Sequence, residues 1–204
     1  MAQLGARLGR LNAKASCLFL CDMQEGFRKL TSHFIPVVQT SSRMLEAART
    51  LDIPVIATEQ YPKGLGPSVP ELKLAEHDVK VFSKTCFNMV TDEVEGYVKQ
   101  TCPDLKSIIL CGIETHACIF QTTLHLLDKG YDVHLVVDAI SSRSLVDRMF
   151  AFRRLERAGA FLTTSEGAIF QLVTDSKHPK FKIIQQIIKD ASPDSELLKC
   201  MPQL

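Results

Sequence analysis

Three residues far apart in the chain, Asp22, Lys84 and Cys118, have the side chains of a nucleophilic catalytic site. Cys118 lies at the predicted start of a helix, where the helix N-terminus and a nearby ammonium group would both favour the thiolate form. A carboxylate such as Asp22, within hydrogen-bonding distance, could move the proton. Backbone N–H groups at the start of the helix could stabilise an oxyanion. The set predicts that Cys118 attacks an electrophilic carbonyl group.

Taken singly, each of these residues has an ordinary structural explanation. Asp22 could form a turn or cap a helix, Lys84 could be a solvated charge, and Cys118 could be a small buried residue. They gain meaning as a set, because each follows a predicted strand and parallel strands bring their carboxyl ends to one edge of a sheet. A thiolate at Cys118 would also be sensitive to oxidation, so a redox-sensing role stays open, with Cys86 as a candidate partner.

Six short apolar segments predict the strands that would carry these residues. They are residues 17–21, 54–58, 79–82, 107–111, 133–137 and 160–164. Most are continuously apolar rather than alternating, which is typical of strands buried on both faces of a parallel sheet. Helical patterns lie between and after the strands, at residues 36–51, 116–129, 143–158 and 179–189. Ser141 and Ser142 are the predicted N-cap of the third helix.

The alternation of strands and helices predicts an α/β fold, a three-layer, doubly wound domain with a mostly parallel six-stranded sheet. The domain is expected at residues 16–190, between a flexible N-terminal arm at 1–15 and a C-terminal tail at 191–204. A long turn-rich loop at 59–78 could wall a pocket. The side chains predicted to line that pocket, for which packing is an equally good explanation, are Gln24, Phe27, Gln60, Tyr61, Phe87 and Thr115. Asp138 and Arg143 are expected to brace the fifth strand.

The composition excludes some classes of partner and indicates a compartment. Of the 204 residues, 46% are hydrophobic and 23% are charged, and the formal net charge is +1. These values allow a sizeable core and give no argument for nucleic acid or an acidic membrane surface as a partner. No apolar run approaches the roughly 20 residues that a membrane span needs. Seven irregularly spaced cysteines indicate free thiols in a reducing compartment, which favours the cytoplasm, with nuclear presence also open. Three of them, Cys17, Cys21 and Cys111, lie inside apolar runs and are expected to be inert core residues. The segment 1–21, basic and without acidic residues, leaves mitochondrial targeting as the alternative.

Three motifs of the chain, in order, resemble those of the isochorismatase-like cysteine hydrolases. They are Phe19-Leu20-Cys21-Asp22-Met23-Gln24-Glu25-Gly26-Phe27, then Lys84, then Gly112-Ile113-Glu114-Thr115-His116-Ala117-Cys118. The later Val137-Asp138-Ala139-Ile140-Ser141-Ser142-Arg143 also matches, and the resemblance spans about residues 16–190. It implies that Asp22 carries the proton and that Lys84 stabilises the thiolate and orients Asp22. It further implies that the backbone N–H groups of Glu114 and Cys118 form the oxyanion hole.

The resemblance also implies a cis peptide bond between Ile113 and Glu114, and a homo-oligomer, dimer or tetramer. Relatives that hydrolyse nicotinamide hold a metal through Asp and His residues after the second strand. This chain has Glu59-Gln60-Tyr61-Pro62 there, so no metal and no other cofactor is expected. The predicted function is hydrolysis of a C–N bond in a small amide, through a thioester on Cys118. The alternative is a family member of little or no activity that acts by binding another protein.

Overall fold

The computed structural model describes residues 8–200 of the chain. Residues 1–7 and 201–204, which belong to the predicted arm and tail, lie outside the described residues. Of the flanking residues that are described, Leu11 is buried against the domain. Ser195 is buried on the other flank, where its carbonyl and hydroxyl oxygens accept hydrogen bonds from the Arg148 guanidinium at 2.7 and 3.1 Å.

The sheet has six strands, and all of its pairings are parallel. The strands are β1 (Ser16–Cys21), β2 (Val55–Gln60), β3 (Lys80–Lys84), β4 (Ser107–Ile113), β5 (Asp132–Ser141) and β6 (Phe161–Thr163). Their spatial order is β3-β2-β1-β4-β5-β6. After β3 the chain returns to the middle of the sheet and places β4 beside β1, so the direction in which strands are added reverses between β1 and β4. This order confirms the predicted doubly wound α/β fold. It also places the topological switch point, where ligands bind in such sheets, at the carboxyl ends of β1 and β4.

Helices cover both faces of the sheet and make it the middle of three layers. They are α1 (Phe34–Thr50), α2 (Pro62–Leu65), α3 (Asp92–Thr101), α4 (Phe120–Asp128), α5 (Leu145–Arg157), α6 (Ser165–Val173), α7 (Phe181–Ile187) and α8 (Leu197–Cys200). One apolar core lies between the sheet and α1, α6 and α7, and the other lies between the sheet and α3, α4 and α5. Because side chains alternate along a strand, Leu18 and Leu20 enter the first core while Cys17, Phe19 and Cys21 enter the second.

Some local features differ from the sequence-based predictions. The structure has helices α3 and α6, which the periodicity did not indicate; α3 begins where the Thr91 hydroxyl accepts a hydrogen bond from the Val94 N–H at 3.3 Å. The predicted N-cap at Ser141 and Ser142 is wrong, because β5 continues through Ser141. Ser144 caps α5 instead, and its hydroxyl accepts a hydrogen bond from the Asp147 N–H.

No helix among residues 8–200 combines the length and the apolar character required to cross a membrane.

Candidate active site

The carboxyl ends of three strands bring the predicted catalytic residues together. Asp22 directly follows β1, Lys84 is the last residue of β3, and the turn that holds Cys118 follows β4. Asp22 has a φ of 49°, a left-handed conformation that Asp tolerates better than most residues. β1 and β4 approach closely here, since a side chain on Gly112 would place its Cβ only 2.1 Å from the Cys21 carbonyl oxygen. Glycine is therefore required at position 112.

The Asp22 carboxylate is buried, and both of its oxygens accept a hydrogen bond. The Lys84 ammonium donates to Oδ2 at 2.6 Å, and the Thr58 hydroxyl donates to Oδ1 at 2.7 Å. Thr58 lies on β2, between the strands that carry the two charged residues. Sequence reasoning did not include Thr58, although its place as the last residue of the predicted second strand could have suggested it. The carboxylate is thus fixed in one orientation.

Lys84 is the centre of the hydrogen-bond network and is 4% exposed. Besides Asp22, its ammonium group contacts Gln60 Oε1 at 2.7 Å, Cys118 Sγ at 3.7 Å and the carbonyl oxygens of Cys86 and Phe87 at 3.2 and 3.4 Å. Burial alone would lower the pKa of this group, but the negative charges that Cys21, Asp22 and Cys118 can carry raise the pKa above its ordinary value. A cation therefore lies between the carboxylate and the thiol at neutral pH.

Cys118 lies in a wide π-helical turn, Thr115–Ile119, that precedes α4. The helix predicted from residue 116 is therefore π-helical in its first turn, and π-type turns of this kind are frequent at functional sites. The peptide bond between Ile113 and Glu114 is cis, as expected from the resemblance. The Thr122 hydroxyl donates to the Cys118 carbonyl oxygen at 2.6 Å and accepts from the Met89 N–H at 2.9 Å, so α4 and the loop after β3 are joined next to the thiol.

A second thiol lies beside Cys118, and sequence reasoning assigned it only to the core. Cys21 Sγ, Cys118 Sγ and a carboxylate oxygen of Asp22 all lie within 4.8 Å of one another. Burial, followed by a hydrogen bond with Cys118, raises the pKa of the Cys21 thiol well above its ordinary value. Such spacing would suit a metal ion, but the Lys84 ammonium already contacts both Asp22 and Cys118 and supplies the positive charge there.

The six side chains predicted to line a pocket fall into two groups. Gln60 and Tyr61 lie near Lys84: Gln60 contacts its ammonium, and Tyr61 lines an open groove of about 540 Å³ that Lys84 also lines. Phe87 is 59% exposed and its carbonyl oxygen faces Lys84. Thr115 is fully buried, and its hydroxyl has no hydrogen-bond partner among the described residues. The remaining two side chains, Gln24 and Phe27, lie elsewhere.

Gln24 and Phe27 are not among the residues that line the groove, and both contact other parts of the protein. The Gln24 side chain is buried, donates to the carbonyl oxygens of Gln60 and Gly66 at 3.0 and 2.7 Å, and accepts from the Gln60 N–H at 2.7 Å. Phe27 packs against the core under α1. Gln24 therefore holds the loop after β2 in place, which positions Gln60 beside Lys84.

The carboxylates near β5 brace the end of the sheet, as expected. Asp138 accepts hydrogen bonds from the N–H and hydroxyl of Ser165 at 2.8 and 2.6 Å, which fixes the start of α6. The Glu114 carboxylate accepts from the Arg143 N–H at 2.8 Å and lies 3.5 Å from the Arg143 guanidinium. This contact ties the turn before Cys118 to the chain that follows β5.

Comparison with known proteins identifies the family to which the chain belongs. The isochorismatase domain matches residues 16–167. Isochorismatase domain-containing protein 2 of Xenopus laevis is 59% identical over 192 residues, which cover 94% of this chain and 92% of the relative. The solved structure of MAR1 ribonuclease from Caenorhabditis elegans is 49% identical, with a TM-score of 0.87, and the match covers 92% of this chain and 96% of that one.

A more distant solved structure shares the fold over its full length. It is YcaC from Pseudomonas aeruginosa, determined with hexane-2,5-diol and covalent acrylamide. The two chains are 25% identical with a TM-score of 0.82, and the match covers 98% of this chain and all of that one (100%). The domain match and the high identity over nearly the whole chain show that this chain belongs to the isochorismatase family.

Proposed function

We propose that the chain is a cysteine hydrolase that cleaves a C–N bond of a small amide, with Asp22, Lys84 and Cys118 as its catalytic residues. The observation that carries the proposal is the position of the Lys84 ammonium, 2.6 Å from the Asp22 carboxylate and 3.7 Å from the Cys118 sulfur, with all three groups buried. An ammonium beside a thiol favours the thiolate, which is the nucleophilic form. A fixed carboxylate supplies the proton acceptor.

The first half-reaction forms a thioester. Asp22 takes the proton of the Cys118 thiol, and the sulfur attacks the amide carbonyl carbon. The backbone N–H groups of Glu114 and Cys118 hold the resulting oxyanion. When the intermediate collapses, the C–N bond breaks and Asp22 returns its proton to the departing amine. Lys84 stays protonated throughout, because its raised pKa keeps the charge that stabilises the thiolate.

The second half-reaction clears the enzyme. Asp22 takes a proton from water, the water oxygen attacks the thioester carbon, and the same N–H groups hold the second oxyanion. The C–S bond breaks, the acid product leaves, and the proton on Asp22 restores the Cys118 thiol. Thr58 does not transfer a proton in this cycle. Its hydroxyl donates a hydrogen bond that keeps the Asp22 carboxylate turned toward Lys84.

The substrate class follows from the groups that surround the thiol. The Thr115 hydroxyl is buried, has no hydrogen-bond partner among residues 8–200, and would bind a polar atom of a substrate that enters the site. Tyr61 lines the groove together with Lys84, while the Gln60 side chain and the Phe87 carbonyl oxygen contact the Lys84 ammonium. The thiol itself is only 5% exposed, so a compact substrate is favoured.

RNA cleavage is a second candidate because the 49% identical worm protein is named a ribonuclease. The net charge of +1 and the burial of Cys118 favour a small uncharged substrate over a polyanion. The third possibility, a protein-binding role with little catalysis, makes no use of a buried carboxylate, ammonium and thiol in contact.

The expected dimer or tetramer stays a prediction, which analytical ultracentrifugation would test.

The test is a panel of small amides and a single-stranded RNA, assayed with the wild type and with Cys118→Ala, Asp22→Asn and Lys84→Ala. We expect amide hydrolysis, reduced at least about a thousandfold by Cys118→Ala. Cys102→Ala is the matched control, because it also removes a thiol but at the opposite edge of the sheet. Full amide hydrolysis by Cys118→Ala would exclude the proposed nucleophile, and cleavage of RNA alone would favour the second candidate.

Alkylation separates catalysis from a pure binding role without a known substrate. At neutral pH, Cys118 should react with iodoacetamide faster than the buried Cys17, Cys21 and Cys111. Cys102 has to be replaced first, because a hydrogen bond from Cys17 lowers its pKa to about 7 and makes it a competing thiol. Reaction of Cys118 no faster than the exposed Cys86 would favour the binding role.

A further inference from the structure

Cys21 is a buried nucleophilic group that the proposed hydrolysis does not use. It is the last residue of β1, fully buried, and its side chain enters the same core as Cys118. The two sulfur atoms lie within 4.8 Å of each other. The Asp22 carboxylate lies beside both, and the Lys84 ammonium contacts Asp22 and Cys118. Cys21 therefore stands where a second thiol could react with an oxidised Cys118.

We propose that hydroperoxides oxidise Cys118 and that Cys21 then closes a reversible Cys21–Cys118 disulfide, which makes the pair a modification site. The proposal concerns the same site as the proposed function, and the loss of hydrolysis that it predicts rests on that function. The disulfide itself does not, because its formation needs only the reactivity and the position of the two thiols.

The first step oxidises Cys118. Its thiolate sulfur attacks one oxygen of the peroxide, so that an S–O bond forms and the O–O bond breaks. The departing oxygen takes up a proton and leaves as water, or as an alcohol from an organic hydroperoxide. The peroxide gains two electrons and Cys118 becomes a sulfenic acid. The Lys84 ammonium, 3.7 Å from the sulfur, favours the thiolate that this step requires.

The second step joins the two cysteines. The Cys21 sulfur attacks the Cys118 sulfur, the S–S bond forms, the S–O bond breaks, and the hydroxyl leaves as water with the proton of the Cys21 thiol. The order of the steps follows from the environments of the two thiols. Burial, followed by the hydrogen bond to Cys118, raises the pKa of Cys21, so Cys21 stays protonated while Cys118 reacts with the oxidant. Small side-chain movements must bring the sulfurs to the bond length of about 2.05 Å.

The surroundings favour Cys21 over other partners of an oxidised Cys118. Cys118 is only 5% exposed, so a peroxide can reach it more easily than a bulky thiol such as glutathione. Cys86, the partner suggested by its place near Lys84, is exposed and its thiol donates to the Asn88 carbonyl oxygen at 3.3 Å. Cys111 lies in the core on the opposite face of the sheet. Cys17 shares the face of Cys21 but lies at the other end of β1.

The experiment uses the full chain with Cys17→Ala and Cys111→Ala, because each of these cysteines shares a tryptic peptide with Cys21 or Cys118. Hydrogen peroxide is added in steps, and the digest is analysed without reduction by mass spectrometry. We expect a peptide pair joined through Cys21 and Cys118, with two thiols lost per peroxide consumed. Dithiothreitol should restore both thiols. The matched variant adds Cys21→Ala, in which dimedone should label Cys118 at least tenfold more and sulfinic acid should accumulate.

Each outcome decides the proposal. A Cys118–Cys86 linkage, or equal dimedone labelling with and without Cys21, would overturn it. Parallel hydrolysis assays separate the two claims. If the linked peptide forms but Cys118→Ala retains amide hydrolysis, the modification site stands and the proposed function fails. If Cys118→Ala abolishes hydrolysis and no linked peptide forms, the function stands and the modification site is refuted.

Discussion

The two ends of β1 each bring a buried cysteine against a second cysteine, yet only one end has the groups of a catalytic site. At the carboxyl end, Cys21, Asp22, Lys84 and Cys118 form what we call the carboxyl-edge cluster. At the amino end, Cys17 and Cys102 form the amino-edge pair, in which Cys102 directly follows α3. Cys17, Cys21 and Cys118 all belong to one core, and Cys102 packs against it.

The difference between the two lies in the groups around the sulfur atoms. A hydrogen bond from Cys17 lowers the pKa of Cys102 to about 7, and the Thr101 hydroxyl acts in the same direction. Both of these groups are neutral. The carboxyl-edge cluster adds an ammonium, a carboxylate and the turn before α4. The comparison teaches that a reactive thiol alone does not make a hydrolase, which also needs a proton acceptor and a site for the oxyanion.

Replacing Lys84 with Met should have the largest effect on stability, because it leaves the Asp22 carboxylate buried without the ammonium that pairs with it. We expect the free energy of unfolding to fall by about 3–5 kcal/mol. Hydrolysis should fall at least about a hundredfold, since the thiolate loses its counter-ion. Urea unfolding and steady-state kinetics measure the two effects. The double variant Asp22→Asn with Lys84→Met should regain part of the stability but none of the activity. A single variant as stable as the double would contradict a buried ion pair.

The close approach of β1 and β4 can be tested at Gly112. Gly112→Ala would place a Cβ 2.1 Å from the Cys21 carbonyl oxygen, at a φ of 120° that side chains disfavour. We expect a loss of about 2–4 kcal/mol in unfolding free energy and a fall in hydrolysis, because the strands that carry Cys21 and Cys118 must separate. Gly96→Ala is the control, since nothing lies within 4 Å of its Cβ position in α3. That change should stabilise the protein by roughly 0.5–1 kcal/mol. Equal effects at both glycines would show that the strand spacing is not critical.

The burial of the strands explains how much of the fold the sequence could predict. Continuous apolar segments predicted all six strands, since burial on both faces leaves little room for polar residues. The convergence of parallel strand ends then placed Asp22, Lys84 and Cys118 at one edge. Strand limits were less accurate: β5 extends to Ser141, because pairing with β4 continues beyond the apolar run.

Features that depend on three-dimensional contacts were not predictable. Cys21 was interpreted as an inert core residue, because nothing in an apolar run shows which thiol will face it across the sheet edge. The π turn at Thr115–Ile119 has no periodic signal. Helix α3 has a different kind of sequence signal, a Thr91 N-cap followed by Asp92 and Glu93, which a prediction based on apolar spacing does not use.

Thr58 tests whether the orientation of Asp22 matters within the carboxyl-edge cluster. Thr58→Val removes the hydroxyl that donates to Asp22 Oδ1 at 2.7 Å and keeps the shape of the side chain. We expect kcat to fall roughly tenfold with KM unchanged, and Thr58→Ser to restore it, because a hydrogen bond to a charged group contributes about 1.5–3 kcal/mol. Thr123→Val is the control, since it removes a buried hydroxyl on α4 that donates to the carbonyl oxygen of Ile119, the last residue of the π turn. If both variants lower kcat alike, Thr58 has only a structural role.

The smallest effect is expected at the amino-edge pair and leaves hydrolysis unchanged. Cys17→Ala removes the hydrogen bond that lowers the pKa of Cys102 to about 7, so this pKa should rise toward the ordinary value of 9.0. A higher pKa means less thiolate at neutral pH, and alkylation of Cys102 by iodoacetamide at pH 7 should slow about tenfold. Peptide mass spectrometry between pH 6 and about pH 9 would follow Cys102 and Cys118 in the same sample. At each pH, the alkylation rate at Cys118 should be the same in the wild type and in Cys17→Ala, because the ammonium partner of Cys118 lies at the other edge of the sheet. A slower reaction at both thiols would show that the two regions are coupled through β1, and the comparison would then describe one site rather than two.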